Sequence, residues 1–225
     1  MAERYEEILY PFLFERDRAD PQAVLASVVE SSRQKAEDVI ALRRTSWERG
    51  KEAIVRAALA MADAFARGGT LYVFGNGGSA TDAQDVAADF MRPALPGRRP
   101  LPCYALTVDT AVITAIGNDV HFENIFLRQI IAFGRPGDIA LGISTSGNSP
   151  NVLKGLEQAK RQGMLTVAVV GYDGGQIGRS PAVDHVLLTP STYVPRIQEA
   201  QGTVLHLLWE LIHRALEARE RRETR

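Results

Sequence analysis

Five short runs of uninterrupted apolar residues, separated by helix-like segments, constrain the fold of this 225-residue chain more than any other feature. Strands of a parallel sheet that is covered on both faces have such continuous runs, whereas half-solvated strands alternate apolar and polar residues. The alternation of strands and helices predicts an α/β protein with a doubly wound, five-stranded parallel sheet. The predicted strands cover residues 70–74, 103–107, 139–143, 165–170 and 184–188.

Helical segments precede, separate and follow these strands. Asp20-Pro21 is a helix-start pair, with Asp as the cap and Pro at the first helical position, and Gly68-Gly69 is a stop. We therefore predict one helical stretch over residues 20–67 and a long C-terminal helix over residues 195–222. Shorter helices are predicted over residues 79–91, 109–116, 122–133 and 150–162. We divide the chain into an N-terminal helical extension, residues 1–49, and a sheet domain, residues 50–225.

Composition excludes several classes of function. The formal net charge is −1, so overall electrostatics predict no direct binding of nucleic acid or membrane. The single cysteine, Cys103, allows no disulfide within the chain and no cysteine-based metal site. The first residues do not have the pattern of a signal peptide, and no apolar run is long enough to span a bilayer. We therefore expect a cytoplasmic protein.

Two loops of small polar residues follow the first and third predicted strands. The first is Gly75-Asn76-Gly77-Gly78-Ser79, and the second is Ser144-Thr145-Ser146-Gly147-Asn148-Ser149. Each leads into a predicted helix, whose first N–H groups and positive dipole end attract anions. The hydroxyl groups of Ser144, Thr145, Ser146 and Ser149 add further donors. Together these features predict a phosphate-binding site.

Ordinary strand-to-helix turns also use Gly and Ser, for capping alone, so each loop by itself leaves that alternative open. Adjacent strand ends in a parallel sheet would bring both loops to one edge, which favours a shared binding site. Neither loop is followed by Gly-Lys-Ser/Thr, which excludes a Walker-type nucleotide site. Neither contains Lys or Arg, so a single phosphate ester is favoured over a polyphosphate.

Two predicted helices carry further candidate residues. Asp85 and Asp89 lie four residues apart and so share a helix face, close to Asp82. Gln198 and His206 lie eight residues apart on the last helix, about 12 Å along an ideal helix axis. An acidic face is often simply solvated, and a lone helical histidine is more often an interface residue than a ligand. A site for proton transfer or metal binding is the alternative.

Four motifs, in order along residues 50–215, resemble the phosphoheptose isomerase branch of the SIS (sugar isomerase) domain family. The resemblance implies a five-stranded parallel sheet with helices on both sides. It also implies a homotetramer with active sites at subunit interfaces. The motifs are Gly75-Asn76-Gly77-Gly78-Ser79, Gly117-Asn118-Asp119, Gly142-Ile143-Ser144-Thr145-Ser146-Gly147-Asn148-Ser149 and Arg196-Ile197-Gln198-Glu199.

The resemblance implies a phosphosugar substrate, because the family's isomerases interconvert sedoheptulose 7-phosphate and D-glycero-D-manno-heptose 7-phosphate. The serine-rich loop, with Ser144, Thr145, Ser146 and Ser149, would hold the phosphate. The remaining motif residues would contact the sugar chain or shape its site. These are Asn76, Gly77, Gly78, Ser79, Asn118, Asp119 and Gln198.

The catalytic positions depart from the family pattern. The family's proton-shuttling glutamate corresponds to Asp89, and its histidine partner corresponds to His206. A family zinc ion would be held by this pair together with Gln198 and Asp85, where Asp85 stands in place of a histidine. Another active-site aspartate is replaced by Pro195. One divalent ion could bind oxygen and nitrogen donors from Asp85, Asp89, Gln198 and His206. Because Asp85 replaces a histidine, these donor atoms are harder Lewis bases than those of the family's own set.

We therefore predict a phosphosugar aldose–ketose isomerase, most consistent with a sedoheptulose 7-phosphate isomerase, with Asp89 as the base and His206 as its acid partner. Gln198 and His206 are so far apart along their helix that they reach a common ion only at full stretch. If a metal site exists, we therefore expect ligands from more than one chain, with Asp85 and Asp89 meeting the His206 of a neighbouring chain. The alternatives are a non-catalytic phosphosugar-binding regulator and a tetrameric DnaA-binding adaptor. The family has such a non-enzymatic branch. This sequence resembles that branch slightly at Ala83-Gln84 and at Leu106-Thr107-Val108-Asp109.

Overall fold

A five-stranded, entirely parallel sheet forms the centre of the structure. The computed structural model describes residues 21–223, so residues 1–20 of the predicted extension and the last two residues lie outside the described part. The strand order is β2-β1-β3-β4-β5, which confirms the doubly wound fold. The strands are β1 (Leu71–Gly75), β2 (Cys103–Ala105), β3 (Ile139–Ser144), β4 (Leu165–Gly171) and β5 (His185–Thr189).

Helices precede, connect and follow the strands close to their predicted positions. The predicted helix over 122–133 begins instead with a 3-10 turn, Phe122–Asn124, which follows a π-helical turn at Gly117–His121. A short helix, α6, was not predicted, because five residues are too few to show helical periodicity. The helices are α1 (Pro21–Ala66), α2 (Gly78–Met91), α3 (Thr110–Ile116), α4 (Ile125–Phe133), α5 (Pro150–Arg161), α6 (Gly175–Arg179) and α7 (Val194–Glu223).

The chain divides into two compact units, Met1–Asp38 and Val39–Arg225. Within the first unit, residues 21–38 are helical and the side chains of residues 22–38 are exposed. Helix α1 continues through the predicted boundary between residues 49 and 50, and that boundary stays a prediction. Among the described residues, no helix combines the length and apolarity needed to cross a membrane.

Two hydrophobic layers cover the two faces of the sheet. Successive strand residues point to opposite faces, so Leu71 and Val73 pack with α1, α2 and α7, whereas Tyr72 and Phe74 pack with α4, α5 and α6. The buried face of α7 includes Leu208, Ile212 and Leu216, whereas Leu211 and Ala215, at the alternative helical spacing, are half-buried.

The packing of Phe74 explains why two sheet-covering helices lie so close to β1. Phe74 is fully buried, and its ring centroid lies 5.0 Å from that of Phe126 on α4. A Cβ atom added at Gly155 on α5 would lie 2.9 Å from the Phe74 ring. The glycine therefore permits α5 to approach the aromatic pair directly, which positions the start of α5 at the end of β3.

We predict that Phe74→Ala lowers the free energy of unfolding by about 3–5 kcal/mol, because it removes a fully buried ring and leaves a cavity. The matched control is Phe122→Ala, since Phe122 is 56% exposed; its effect should stay within about 0.5 kcal/mol. Urea denaturation at one fixed protein concentration measures both. Equal losses in the two variants would contradict this account of the core.

Candidate active site

The two glycine- and serine-rich loops lie side by side, as predicted, because β1 and β3 are neighbours in the sheet. A pair of reciprocal amide hydrogen bonds joins them. Asn76 Nδ2 donates to Asn151 Oδ1 at 2.9 Å, and Asn151 Nδ2 donates to Asn76 Oδ1 at 2.8 Å. Sequence analysis missed Asn151: its place in the first turn of the helix after the serine-rich loop was visible, but its burial and its contact with Asn76 were not.

Hydrogen bonds within the serine-rich loop hold its two ends together. Ser144 Oγ lies 2.9 Å from Ser149 Oγ and accepts a hydrogen bond from the Gly147 N–H at 3.1 Å. Ser146 Oγ accepts from the Asn148 N–H at 3.2 Å. Gly147 adopts a positive φ of 65°, which a glycine tolerates without strain. The loop is thus a tight turn directly before the N-terminus of α5, a position that suits an anion.

Helix α6 and the residues before it support the serine-rich loop from behind. The Ile177 N–H donates to the Gly147 carbonyl at 2.9 Å, and the Gln176 N–H donates to Asn148 Oδ1 at 2.9 Å. A Cβ atom at Gly147 would lie 2.0 Å from the Gly174 carbonyl oxygen. This close packing fixes the shape of the loop, which is the requirement for a preformed phosphate site.

Gln198 lies against the first loop, at the carboxyl end of the sheet. A Cβ atom built on Gly78 would lie 1.8 Å from Gln198 Nε2, so only glycine leaves room for this amide. Gly78 is also the first residue of α2. The structure therefore groups Gln198 with the two small-residue loops.

Asp89 and His206 form a second group, where α2 and α7 face each other. His206 Nε2 lies 3.5 Å from Asp89 Oδ2, and the two side chains are 72% and 41% exposed. Asp85 lines the same open pocket, together with Asp82 and Trp209. The expectation that this histidine would come from a neighbouring chain is corrected, because the two groups already meet within one chain.

Asp82 is the titratable group of this pocket with a strongly altered proton affinity. Burial, and to a lesser extent the negative charge of Asp85, raises the pKa of its carboxyl to about 6. Its buried Oδ2 atom has no hydrogen-bond partner among residues 21–223. The sequence showed Asp82 only as part of an acidic face, and nothing in the local pattern indicated its burial.

The two groups lie at opposite ends of the sheet within one chain. From Gly78 to Asp89, α2 spans about 16 Å along its axis. Residues next to Asp89 contact the amino end of the sheet, since the Leu101 N–H, just before β2, donates to the Phe90 carbonyl at 2.9 Å. The serine-rich loop follows the carboxyl end of β3. Asp89 and the loop of the same chain therefore do not face one another.

Asn118 and Asp119 occupy a third place, the exposed π-helical turn between α3 and α4. Asn118 Nδ2 donates to Asp119 Oδ1 at 2.8 Å. In the described part of the chain, neither side chain bonds to either loop. Just after this turn, Glu123 forms an ion pair of 2.5 Å with Lys154 on α5.

The expected metal ligands Asp85, Asp89, Gln198 and His206 do not form a metal site within one chain. Gln198 lies at the end of α2 opposite to the other three residues. Between residues 21 and 223, no cluster of three or more His, Cys, Asp or Glu side chains has an arrangement that could hold a metal ion.

Comparisons with known proteins bear on both the fold and the site. The SIS domain family model matches residues 34–171. The phosphoheptose isomerase of Desulfovibrio desulfuricans is 49% identical over 179 residues, covering 78% of this chain and 83% of the relative. That of Geotalea daltonii is 48% identical over 156 residues, covering 69% and 80%.

Solved structures of phosphoheptose isomerases have the same fold. The structure from Neisseria gonorrhoeae superimposes with a TM-score of 0.76 at 35% identity, covering 82% of this chain and 98% of the other. The structure from Francisella tularensis gives 0.78 at 33% identity, covering 83% and 98%. Family model, sequence relatives and structures agree, and the chain belongs to the phosphoheptose isomerase family of SIS-domain proteins.

Proposed function

We propose that this protein is an aldose–ketose isomerase that interconverts sedoheptulose 7-phosphate and its heptose 7-phosphate isomer. The observation that carries the proposal is the Asp89 carboxylate facing the His206 imidazole at 3.5 Å in an open pocket. It is supported by relatives of 41–49% identity that are phosphoheptose isomerases. A phosphosugar is the substrate class that both the relatives and the serine-rich loop support.

The reaction moves one proton between C1 and C2 of the sugar through an enediol. In the aldose-to-ketose direction, the Asp89 carboxylate removes the proton from C2 and returns it to C1. The protonated His206 imidazole gives a proton to the carbonyl oxygen on C1 and takes one from the hydroxyl group on C2. A base and an acid that touch each other suit this exchange, because each step restores the protonation state that the next step needs.

The serine-rich loop binds the phosphate at the other end of the substrate. Its hydroxyl groups and the N-terminus of α5 donate hydrogen bonds to the phosphate oxygens. In this proposal Asn76, which lies in the first loop, and Gln198, which packs against it, would contact the sugar chain. Anchoring the phosphate fixes which carbon atoms reach the acid–base pair, so binding energy is converted into orientation.

We also propose that the protein is a homotetramer of dihedral symmetry in which each site is shared by two chains. An extended polypeptide spans about 3.6 Å for every three backbone bonds. On the same scale, C1 and the phosphorus of an extended heptose 7-phosphate lie roughly 10 Å apart. This span is shorter than the stretch of α2 between Gly78 and Asp89, which favours a serine-rich loop from a second chain. Exposed Val55 and Leu59 on α1, at 38% and 50%, offer apolar surface for assembly.

A divalent ion, with zinc as the family's choice, stays a prediction. Within one chain Gln198 is distant from Asp85, Asp89 and His206, so a complete ligand set requires donors from two chains. Metal analysis of the purified protein, with His206→Ala as the depleted control, tests it. A cytoplasmic location likewise stays a prediction from the sequence.

The contact between Asp89 and His206 favours the isomerase over the two non-catalytic alternatives. A phosphosugar-binding regulator and a DnaA-binding adaptor would both use the phosphate loop or the outer surface. Neither needs a carboxylate and an imidazole that face each other in a solvent-accessible pocket. Measured turnover of sedoheptulose 7-phosphate by the purified protein decides between these functions.

Removing one loop hydroxyl should weaken substrate binding. We predict that Ser146→Ala raises the KM for sedoheptulose 7-phosphate about 10- to 100-fold, since a hydrogen bond to a charged group contributes about 1.5–3 kcal/mol. Ser32→Ala, on the exposed face of α1, serves as the control and should leave KM unchanged. Steady-state kinetics and calorimetric titration measure the effect. An unchanged KM in Ser146→Ala would remove this residue from the phosphate site.

Removing the base should abolish turnover while binding persists. We predict that Asp89→Asn lowers kcat about 10²- to 10⁴-fold, because general base catalysis contributes that much and an amide cannot accept the proton. Calorimetry should show nearly unchanged affinity for the phosphosugar, since the phosphate anchor is intact. Asp38→Asn, an exposed position on α1, is the control. Turnover near the wild-type rate in Asp89→Asn would show that another group is the base.

A further inference from the structure

The main-chain oxygen of Asp89 accepts its hydrogen bond from outside its own helix. Asp89 lies in the last turn of α2, where carbonyl groups lack intrahelical partners. The residue four positions later is Pro93, which has no N–H group to donate. The Trp209 indole Nε1–H donates to this oxygen at 3.0 Å instead. One side chain of α7 thus completes the end of α2 at the proposed base.

Trp209 also lies next to His206. The two residues are three positions apart on α7, so they lie on one side of the helix, and both line the pocket that contains Asp89. The indole hydrogen bond therefore joins α2 to α7 directly beside the 3.5 Å contact between Asp89 and His206. The bond and the contact thus both connect α2 to α7 at Asp89.

A cation also contacts the indole of Trp209. The Arg98 guanidinium carbon lies 4.6 Å from the centroid of the Trp209 ring, and the Arg98 side chain is only 9% exposed. Arg98 Nε lies 3.4 Å from a carboxylate oxygen of Glu217, further along α7. The His213 ring packs on the indole with centroids 4.8 Å apart. With these neighbours, the indole has little freedom to rotate away from Asp89.

We propose that Trp209 is a positioning residue of the isomerase, which sets the separation of the Asp89 carboxylate and the His206 imidazole, and that Arg98 fixes the indole for this purpose. The inference rests on the proposed function. Aspartate has a short side chain, so the place of its carboxylate depends closely on the place of its main chain. A displacement of about 1 Å at a reacting group can cost about a hundredfold in rate.

The test compares Trp209→Phe with the wild type on sedoheptulose 7-phosphate. Phenylalanine keeps an aromatic ring under Arg98 but removes the indole donor. We expect kcat to fall about tenfold, whereas KM stays within about twofold because the phosphate loop lies at the other end of the sheet. Arg98→Lys, which keeps the charge but loses the planar stack, should give a smaller fall in kcat. Trp47→Phe makes the same change at the other tryptophan, 39% exposed, and should leave kcat unchanged.

Each outcome decides the matter. An unchanged kcat in Trp209→Phe, or a fall in kcat matched by a rise in KM and a lowered melting temperature, would overturn the positioning inference. If Trp209→Phe does not fold, replacing the indole of Trp209 by benzothiophene in a Trp47→Phe background removes only the N–H group, and the same fall in kcat is expected. If the wild-type protein has no turnover, the proposed function is refuted and this inference fails with it. The wild-type rate therefore distinguishes failure of the function from failure of the positioning role.

Discussion

The parallel pairing of β1 with β3 is the constraint on which the rest of the site depends. It aligns Gly75 with Ile143 and so brings the two small-residue loops to one edge of the sheet. The amide pair between Asn76 and Asn151 then fixes their spacing. If β1 and β3 were separated by another strand, the serine-rich loop would have no first loop beside it. The proposed phosphate site is in this sense a product of strand order.

Helix α2 connects the two halves of the chemistry. It begins at Gly78, against Gln198, and ends just after Asp89, beside His206 and Trp209. Its length therefore places the proposed base far from the phosphate loop of its own chain. The acid–base pair is partly exposed, which suits the proposed site shared with a second chain. In that proposal the length of one helix links assembly to catalysis.

Much of this arrangement was predictable from sequence, because it follows from local patterns. Continuous apolar runs predicted the parallel sheet, and small residues after strands predicted the loops. The same pattern predicted that the two loops lie together at one edge of the sheet, and the structure confirms this. Asn151, the buried Asp82 carboxyl and the bond from Trp209 to Asp89 depend on contacts between distant segments, which periodicity does not contain. The same reason explains why His206 was expected from a neighbouring chain: sequence spacing gave the distance along α7 but not the approach of α2.

The most direct test of the shared site is complementation between two inactive variants. Asp89→Asn lacks the base, and Ser146→Asp places a negative charge in the phosphate loop, so each alone should be inactive in the isomerase assay. If each site takes its base from one chain and its phosphate loop from another, co-assembled mixtures form some sites that are intact in both parts. Random mixing of the two in equal amounts should then restore about a quarter of the wild-type activity. No activity in mixed assemblies, despite exchange of chains, would contradict the shared site.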